Sequence, residues 1–150
     1  MFKKFSFKLQ NVLNLKTMLE EKAEKAFSTA IIEFERERSL LTEMEKKVRE
    51  KQVELKALAT KPFSSAHALQ FEQFIEKLDR EIIKQIKKIE HAEKNVEIKR
   101  LHLLEATKDK KIIEKLCEKE FEKYSKEINL LERNVLNDIA VTRYYRNTMK

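Results

Sequence analysis

The sequence predicts an all-α fold: two long helices folded into an antiparallel coiled-coil hairpin, with the second helix longer and overhanging the first. Three observations predict it. The 150 residues contain no glycine and one proline, Pro62. Apolar residues recur every seven positions on both sides of that proline. Acid-to-base pairs four residues apart support isolated helix on both arms: Glu21–Lys25 and Glu43–Lys47 before the proline, Glu76–Arg80, Glu90–Lys94 and Glu122–Lys126 after it. Such pairs beside a sustained heptad repeat mark a coiled coil.

The N-terminal stretch is the least regular. Phe2, Phe5 and Phe7 alternate with lysines. Leu9, Val12 and Leu15 or Lys16 then begin a helical period, and Ser6 is the candidate cap. Helix 1 is expected over about 6–60. Its stripe runs through Leu19, Ala23, Ala26 and Ala30 and becomes a clean heptad at Phe27, Phe34, Leu41, Val48 and Leu55. The partner series is Ala30, Glu37, Met44, Lys51 and Leu58, so two charges stand at seam positions and the pattern is leaky.

The break is predicted over 61–64. A proline inside a helix loses a hydrogen bond and clashes with the preceding turn, at about 3 kcal/mol. It also pushes Lys61 out of the α region. Ser64 and Ser65 are the candidate caps of the second helix.

Helix 2 is expected over about 65–146. Ile75, Ile82, Ile89, Val96 and Leu103 stand at strict sevens. Ile113, Cys117, Tyr124, Ile128, Leu131, Val135 and Ile139 continue the stripe after a shift near Lys108–Lys111. If the chain reverses near residue 63, Phe34 faces the region of Ala92, Leu41 faces Ile86, and Phe5 lies near Glu122. Residues from about 123 to 146 then lack a partner, an overhang of roughly 35 Å. The whole chain, 1–150, is expected to be one hairpin.

Composition excludes several classes. Charged residues are 39% and apolar residues 41%, too many apolar side chains for a disordered tail. No apolar run is long enough to span a bilayer. The lysine-bearing N-terminus has no apolar segment followed by a small-residue cleavage site, so no secretory signal is expected. A single cysteine, Cys117, cannot form an internal disulfide and is expected to be a small seam hydrophobe.

A catalytic site is not expected. Without glycine there is no phosphate-cradling loop. No Glu-x-x-His occurs, and His91 and His102 lie roughly 16 Å apart along a helix, too far to share a metal. Glu90, Glu93 and Glu97 read as a solvated acidic stripe. No cofactor and no metal are expected.

The net charge of +7 is concentrated. Residues 1–19 carry four lysines and no acid, residues 139–150 carry Arg143, Arg146 and Lys150 and no acid, and the stretch between is balanced. The same ends hold Phe2, Phe5, Phe7, Tyr144 and Tyr145. Aromatics and arginine are the usual anchors of protein interfaces. A second candidate surface flanks the break, where Phe63, Phe71 and Phe74 stand beside Leu55 and Leu58. Phe71 and Phe74 cannot both face one seam together with Ile75 and Leu78.

The N-terminal pattern Phe5-x-Phe7-x-Leu9-x-x-Val12-Leu13-x-Leu15-Lys16 resembles that of the FliJ family, a small coiled-coil component of the flagellar type III export apparatus. Lys110-Lys111-Ile112-Ile113-Glu114-Lys115-Leu116 and the helix ending in Asn137-Asp138-Ile139-Ala140 extend the resemblance, although the family usually has an Asp-Glu pair where this chain has Asn137-Asp138. The resemblance implies a non-enzymatic stalk that inserts into the hexameric export ATPase, FliI-like, and promotes ring assembly. It also implies contact with the cytoplasmic domain of an FlhA-like export gate, recycling of export chaperones, and a place in the cytoplasm at the inner face of the membrane. On this basis Phe5, Phe7, Leu9, Lys16, Arg143, Tyr144, Tyr145 and Arg146 are expected to contact the ATPase. Leu41, Met44, Val48, Phe71, Ile75 and Leu78 are expected to include the gate contact. The alternatives are the equivalent stalk of a virulence injectisome, a generic dimeric structural coiled coil, and a peripheral membrane or nucleic-acid binder using the basic ends. Seven charges without a motif make nucleic acid the least expected partner.

Overall fold

The computed structural model describes residues 4–60, 62 and 65–149. It is all-α, with two helices, α1 (Gln10–Leu58) and α2 (Ser65–Thr148), and no strand among the described residues. α1 has 49 residues and α2 has 84. Their length follows from interiors free of glycine and proline, so nothing in either helix interrupts the hydrogen-bond ladder. At the end of α1 the Thr60 hydroxyl donates to the Ala57 carbonyl at 2.8 Å, and Lys56 places a cation in the last turn, where the helix dipole favours it. Pro62 comes next among the described residues, exposed. Ser65 is the first residue of α2. Ser64, Lys61 and Phe63 of the expected break, and Phe2 and Lys3 of the basic N-terminus, lie outside the described residues.

The chain clusters into two compact units, one formed by 1–20 with 105–150 and the other by 21–104. Each helix contributes to both.

In the 21–104 unit the two helices bury one seam against each other. On α1 the residues withdrawn from solvent include Ala23, Phe27, Ala30, Phe34, Glu37, Leu41, Met44, Val48, Lys51, Leu55 and Leu58, spaced alternately by four and three, with Ala26 beside them. On α2 they include Phe71, Ile75, Leu78, Ile82, Gln85, Ile89, Ala92, Val96 and Leu103. Only Ala30, Leu78 and Gln85 are fully buried in this unit among the described residues. The fold therefore has a packed stripe rather than an enclosed core.

In the unit formed by 1–20 and 105–150, Leu13, Lys16 and Glu20 of α1 and Ala106, Lys110, Ile113, Cys117, Tyr124 and Ile128 of α2 are half-buried. The expected shift near Lys108–Lys111 is absent. The three–four alternation passes from Leu103 through Ala106, Lys110, Ile113 and Cys117 unbroken, because Lys110 itself takes a seam position. Likewise Leu19, expected in the stripe, is 44% exposed, and Glu20 takes the seam position beside it. Both departures have one cause: Lys110 and Glu20 satisfy each other with an ion pair, so neither needs solvent.

α1 begins at Gln10 rather than near residue 6. Ser6 stands four residues before the first helical residue, too far to cap the helix. Residues 4–7 form an arm instead, closed by a hydrogen bond from the Gln10 amide to the Phe7 carbonyl at 3.1 Å. The arm stays out of the helix because its two phenylalanines are packed. Phe7 is buried, and Phe5 packs against the rings of Phe121 and Tyr124. Covering one phenylalanine fully contributes roughly 1.5–3 kcal/mol, more than a few residues of helix propensity.

Candidate functional site

Among the described residues no group of three His, Cys, Asp or Glu stands close enough to hold a metal ion. His91 and His102 are exposed, and Cys117 is half-buried in the seam. No described helix is long and apolar enough to cross a membrane. What the fold offers is surface.

The first surface belongs to the unit of 1–20 and 105–150. The Phe5 ring meets Phe121 edge-on at 5.2 Å and Tyr124 at 5.5 Å, and Phe121 and Tyr124 are 6.3 Å apart. The arm and α2 flank an open groove of about 730 Å³. Its charged lining is mixed, Lys4, Lys8 and Lys123 with Glu120 and Glu127, and Phe5, Tyr124, Ile128 and Leu131 make up its apolar part. Beyond Ile128 every α2 residue, and Met149 after it, is exposed. The uncovered stretch thus starts later than residue 123, because the non-helical arm reaches Tyr124. It remains helical to Thr148. Leu130, Leu131, Val135, Leu136, Ile139, Val141, Tyr144 and Tyr145 are all between 46% and 68% exposed. At 3.6 residues per turn these side chains spread round most of the helix circumference. Arg143 and Arg146 flank the Tyr144–Tyr145 pair, whose rings are 6.4 Å apart.

The expected ATPase contacts all fall in this unit, in three environments. Phe5 and Phe7 are used internally by the arm. Lys16 is half-buried and pairs with Asp109 at 3.8 Å. Leu9, at 38%, and Arg143, Tyr144, Tyr145 and Arg146 are exposed. Sequence reasoning missed Phe121 and Tyr124 as the seat of the arm. The signal was present: the expected pairing of Phe5 with residue 122 points straight at them.

The second surface belongs to the 21–104 unit. The six residues expected to include the gate contact, Leu41, Met44, Val48, Phe71, Ile75 and Leu78, all stand at seam positions, with Leu78 only 6% exposed. The exposed apolar side chains are their neighbours: Val53 on α1 at 67%, and Leu69, Phe74 and Ile83 on α2 at 54%, 40% and 56%. Phe71 and Phe74 do divide between seam and flank. The Lys51 ammonium, itself at a seam position, lies 5.9 Å from the Phe71 ring and 5.3 Å from the Phe74 ring. A cation over aromatic faces keeps a favourable partner without water. Ile86, expected opposite Leu41, is 41% exposed, and Gln85 is buried in its place, bonded to Glu37.

A two-helix fold with a leaky seam, an open surface groove, and an apolar, aromatic helix end left exposed defines a coiled-coil interaction protein. The family described as Flagellar FliJ protein matches residues 5–149, nearly the whole chain, and the chain belongs to that family. It is accordingly a component of the flagellar export apparatus, in a family of structural and adaptor proteins. No curated protein and no solved structure matches it significantly.

Proposed function

We propose that the chain is a non-enzymatic stalk of the flagellar export machinery, a single hairpin module over 1–150. Its uncovered helix end enters the hexameric export ATPase ring and promotes ring assembly and hydrolysis. One observation carries the reading: the stretch from 129 to 148 is helical, exposed throughout, and apolar round most of its circumference. A helix apolar on one stripe suits a groove, whereas one apolar on most sides suits a socket that encloses it. A ring lumen is such a socket. Arg143 and Arg146 beside Tyr144 and Tyr145 supply the anchors. Leu9, Lys16 and the aromatic arm of Phe5 and Phe7 shape the base of the inserted end.

The gate contact, in this reading, uses the exposed flank of the seam around Phe71, Ile75 and Leu78, namely Leu69, Phe74 and Ile83. Leu41, Met44 and Val48 then hold the flank in place from the facing helix. Export chaperones and a peripheral position at the inner membrane face complete the assignment. Membership of a family described as flagellar favours this system over an injectisome.

The test is titration of the chain into the export ATPase while hydrolysis and ring formation are followed. The full chain is expected to stimulate both, and a chain lacking 1–9 and 140–150 to stimulate neither. Full stimulation by the truncated chain would overturn the proposal.

A further inference from the structure

Gln85 is the most enclosed described side chain of the protein, at 2% exposure, and it is polar. It stands in the α2 seam of the 21–104 unit between apolar Leu78, Ile82, Ile89 and Ala92. Its Nε2 donates to the Glu37 main-chain carbonyl at 2.9 Å and to the Glu37 carboxylate. Glu37 occupies the facing seam position of α1, between Phe34 and Leu41. Among the described residues no buried side-chain polar atom is left without a partner.

Lys51, the other polar residue of this stretch of α1 seam, pairs with Glu54 on its own helix at 3.2 Å and also lies near the Phe71 and Phe74 rings. The Glu54 partner is forgiving, since it moves with Lys51 on α1 whatever the register. The Gln85–Glu37 pairing is not forgiving. In an antiparallel seam a slip of one heptad puts Gln85 opposite Ala30 or Met44, and Glu37 opposite Ala92 or Leu78. None of these four side chains donates a hydrogen bond, and only the Met44 sulfur accepts one, weakly. A slipped register leaves the Gln85 amide only a main-chain carbonyl, which any position offers, and takes its donor from the half-buried Glu37 carboxylate, a loss that folded proteins avoid. The apolar residues on either side discriminate poorly, because a seven-residue slip sets apolar against apolar again. A single polar layer inside an otherwise apolar seam is the known means by which coiled coils select one register.

We propose that the Gln85–Glu37 layer is a register lock: it admits one antiparallel pairing of the 21–104 unit, bars the pairings slipped by seven residues, and does so at a cost in stability. The layer lets long, leaky helices keep their exposed flanks in fixed alignment.

The experiment measures spin-label distances in the full chain, with Cys117→Ala as background and labels at exposed Ser39 and Lys87, one on each helix of the unit. The parent is expected to give one distance. Glu37→Leu/Gln85→Leu, with an apolar seam from Ala23 to Val48, is expected to melt at higher temperature. It is also expected to place about one-tenth or more of the molecules in registers displaced by roughly 10 Å along the helix axis. Lys51→Leu is expected to keep one distance, because the lock is intact. A double variant that keeps the parental single distance would overturn the proposal. So would a Lys51→Leu variant that slips as much as the double variant, since the selectivity would not then lie in this layer. Should the double variant not fold, Gln85→Ala and the exchanged pair Glu37→Gln/Gln85→Glu give the reading. The first is expected to lose the single distance and the second to regain it, and retention of the single distance by Gln85→Ala overturns the lock.

Discussion

Lys110 Nζ donates to Glu20 Oε1 at 3.1 Å from a position on α2 that a regular heptad would fill with an apolar residue. A second carboxylate, Glu114, lies 3.6 Å from the same ammonium. Lys110 and Glu20 side chains keep only 25% and 19% of their exposure. The hydrogen bond from Lys110 holds the Glu20 carboxyl below the usual carboxylate range, and the bond to Glu20 holds the Lys110 ammonium above the usual lysine range.

These directions fix a pH dependence. Glu20 is depressed, so its contribution is fully present above the ordinary carboxylate pKa, about 4.3, and is lost as pH falls through its lower folded value. Lys110 is raised, so its contribution is present through neutral pH and is lost only as pH rises through its higher folded value. Glu20→Gln should lower the urea midpoint by a few tenths molar at neutral pH, and the difference from the parent should vanish as pH falls through the depressed Glu20 value. A difference unchanged at acid pH would mean that Glu20 acts through packing alone.

Burial separates two leucines of α2. Leu78 is 6% exposed and Leu136 is 65% exposed. Leu78→Ala should cost about 2–3 kcal/mol in denaturant unfolding, towards the low end for core leucines because a two-helix seam relaxes easily. Leu136→Ala should fall within about 0.5 kcal/mol of the parent. The functional order should be the reverse, with Leu136→Ala weakening ATPase stimulation while leaving stability untouched.

Ala30 is 2% exposed at the seam, and Ala57 on the same helix is exposed. Ala30→Leu should destabilise the fold by about 1–3 kcal/mol through overpacking. Ala57→Leu should be nearly neutral. Thermal melts of the two variants against the parent check this. Equal effects would mean that the seam at Ala30 has room to spare.

The arm predicts a fluorescence change. Phe5→Ala removes the ring contacts to Phe121 and Tyr124 and should cost about 1–2 kcal/mol, part of it the aromatic term of about 0.5–1.5 kcal/mol. Tyrosine emission should become more accessible to a soluble quencher, while Phe5→Tyr should preserve most of the packing. Unchanged quenching in Phe5→Ala would show the arm to be unseated in solution.

Hydrogen exchange should locate the inserted end. Amides between 129 and 148 have no facing helix, so in the free chain they should exchange well ahead of those around Leu78 and Gln85. Adding the export ATPase should slow the first group and leave the second unchanged. Protection appearing only around Leu69 and Phe74 would move the ATPase contact to the other unit.

Much of this protein was legible in its sequence. A chain without glycine, with one proline at 62 and apolar residues at sevens, can form little other than two long helices sharing a seam. Phe27, Phe34, Leu41, Val48 and Leu55 on one helix and Ile75, Ile82, Ile89, Val96 and Leu103 on the other are where the spacing put them. Periodicity is a local property, set by 3.6 residues per turn, and it needs no knowledge of the partner.

The tertiary structure decided what depends on the partner. Gln85 is inside and Ile86 outside because Glu37 faces that position. Lys110 and Glu20 keep the heptad unbroken because each answers the other's charge across the seam. Residues 4–7 leave the helix because Phe121 and Tyr124 offer Phe5 a better seat. Phe71, Ile75 and Leu78 are seam and Phe74 is flank by the same rule. Hydropathy ranks a side chain by its own preference for water, but a polar group enters a seam only when the opposite helix supplies its hydrogen bond, and that pairing exists only once the chain has folded back.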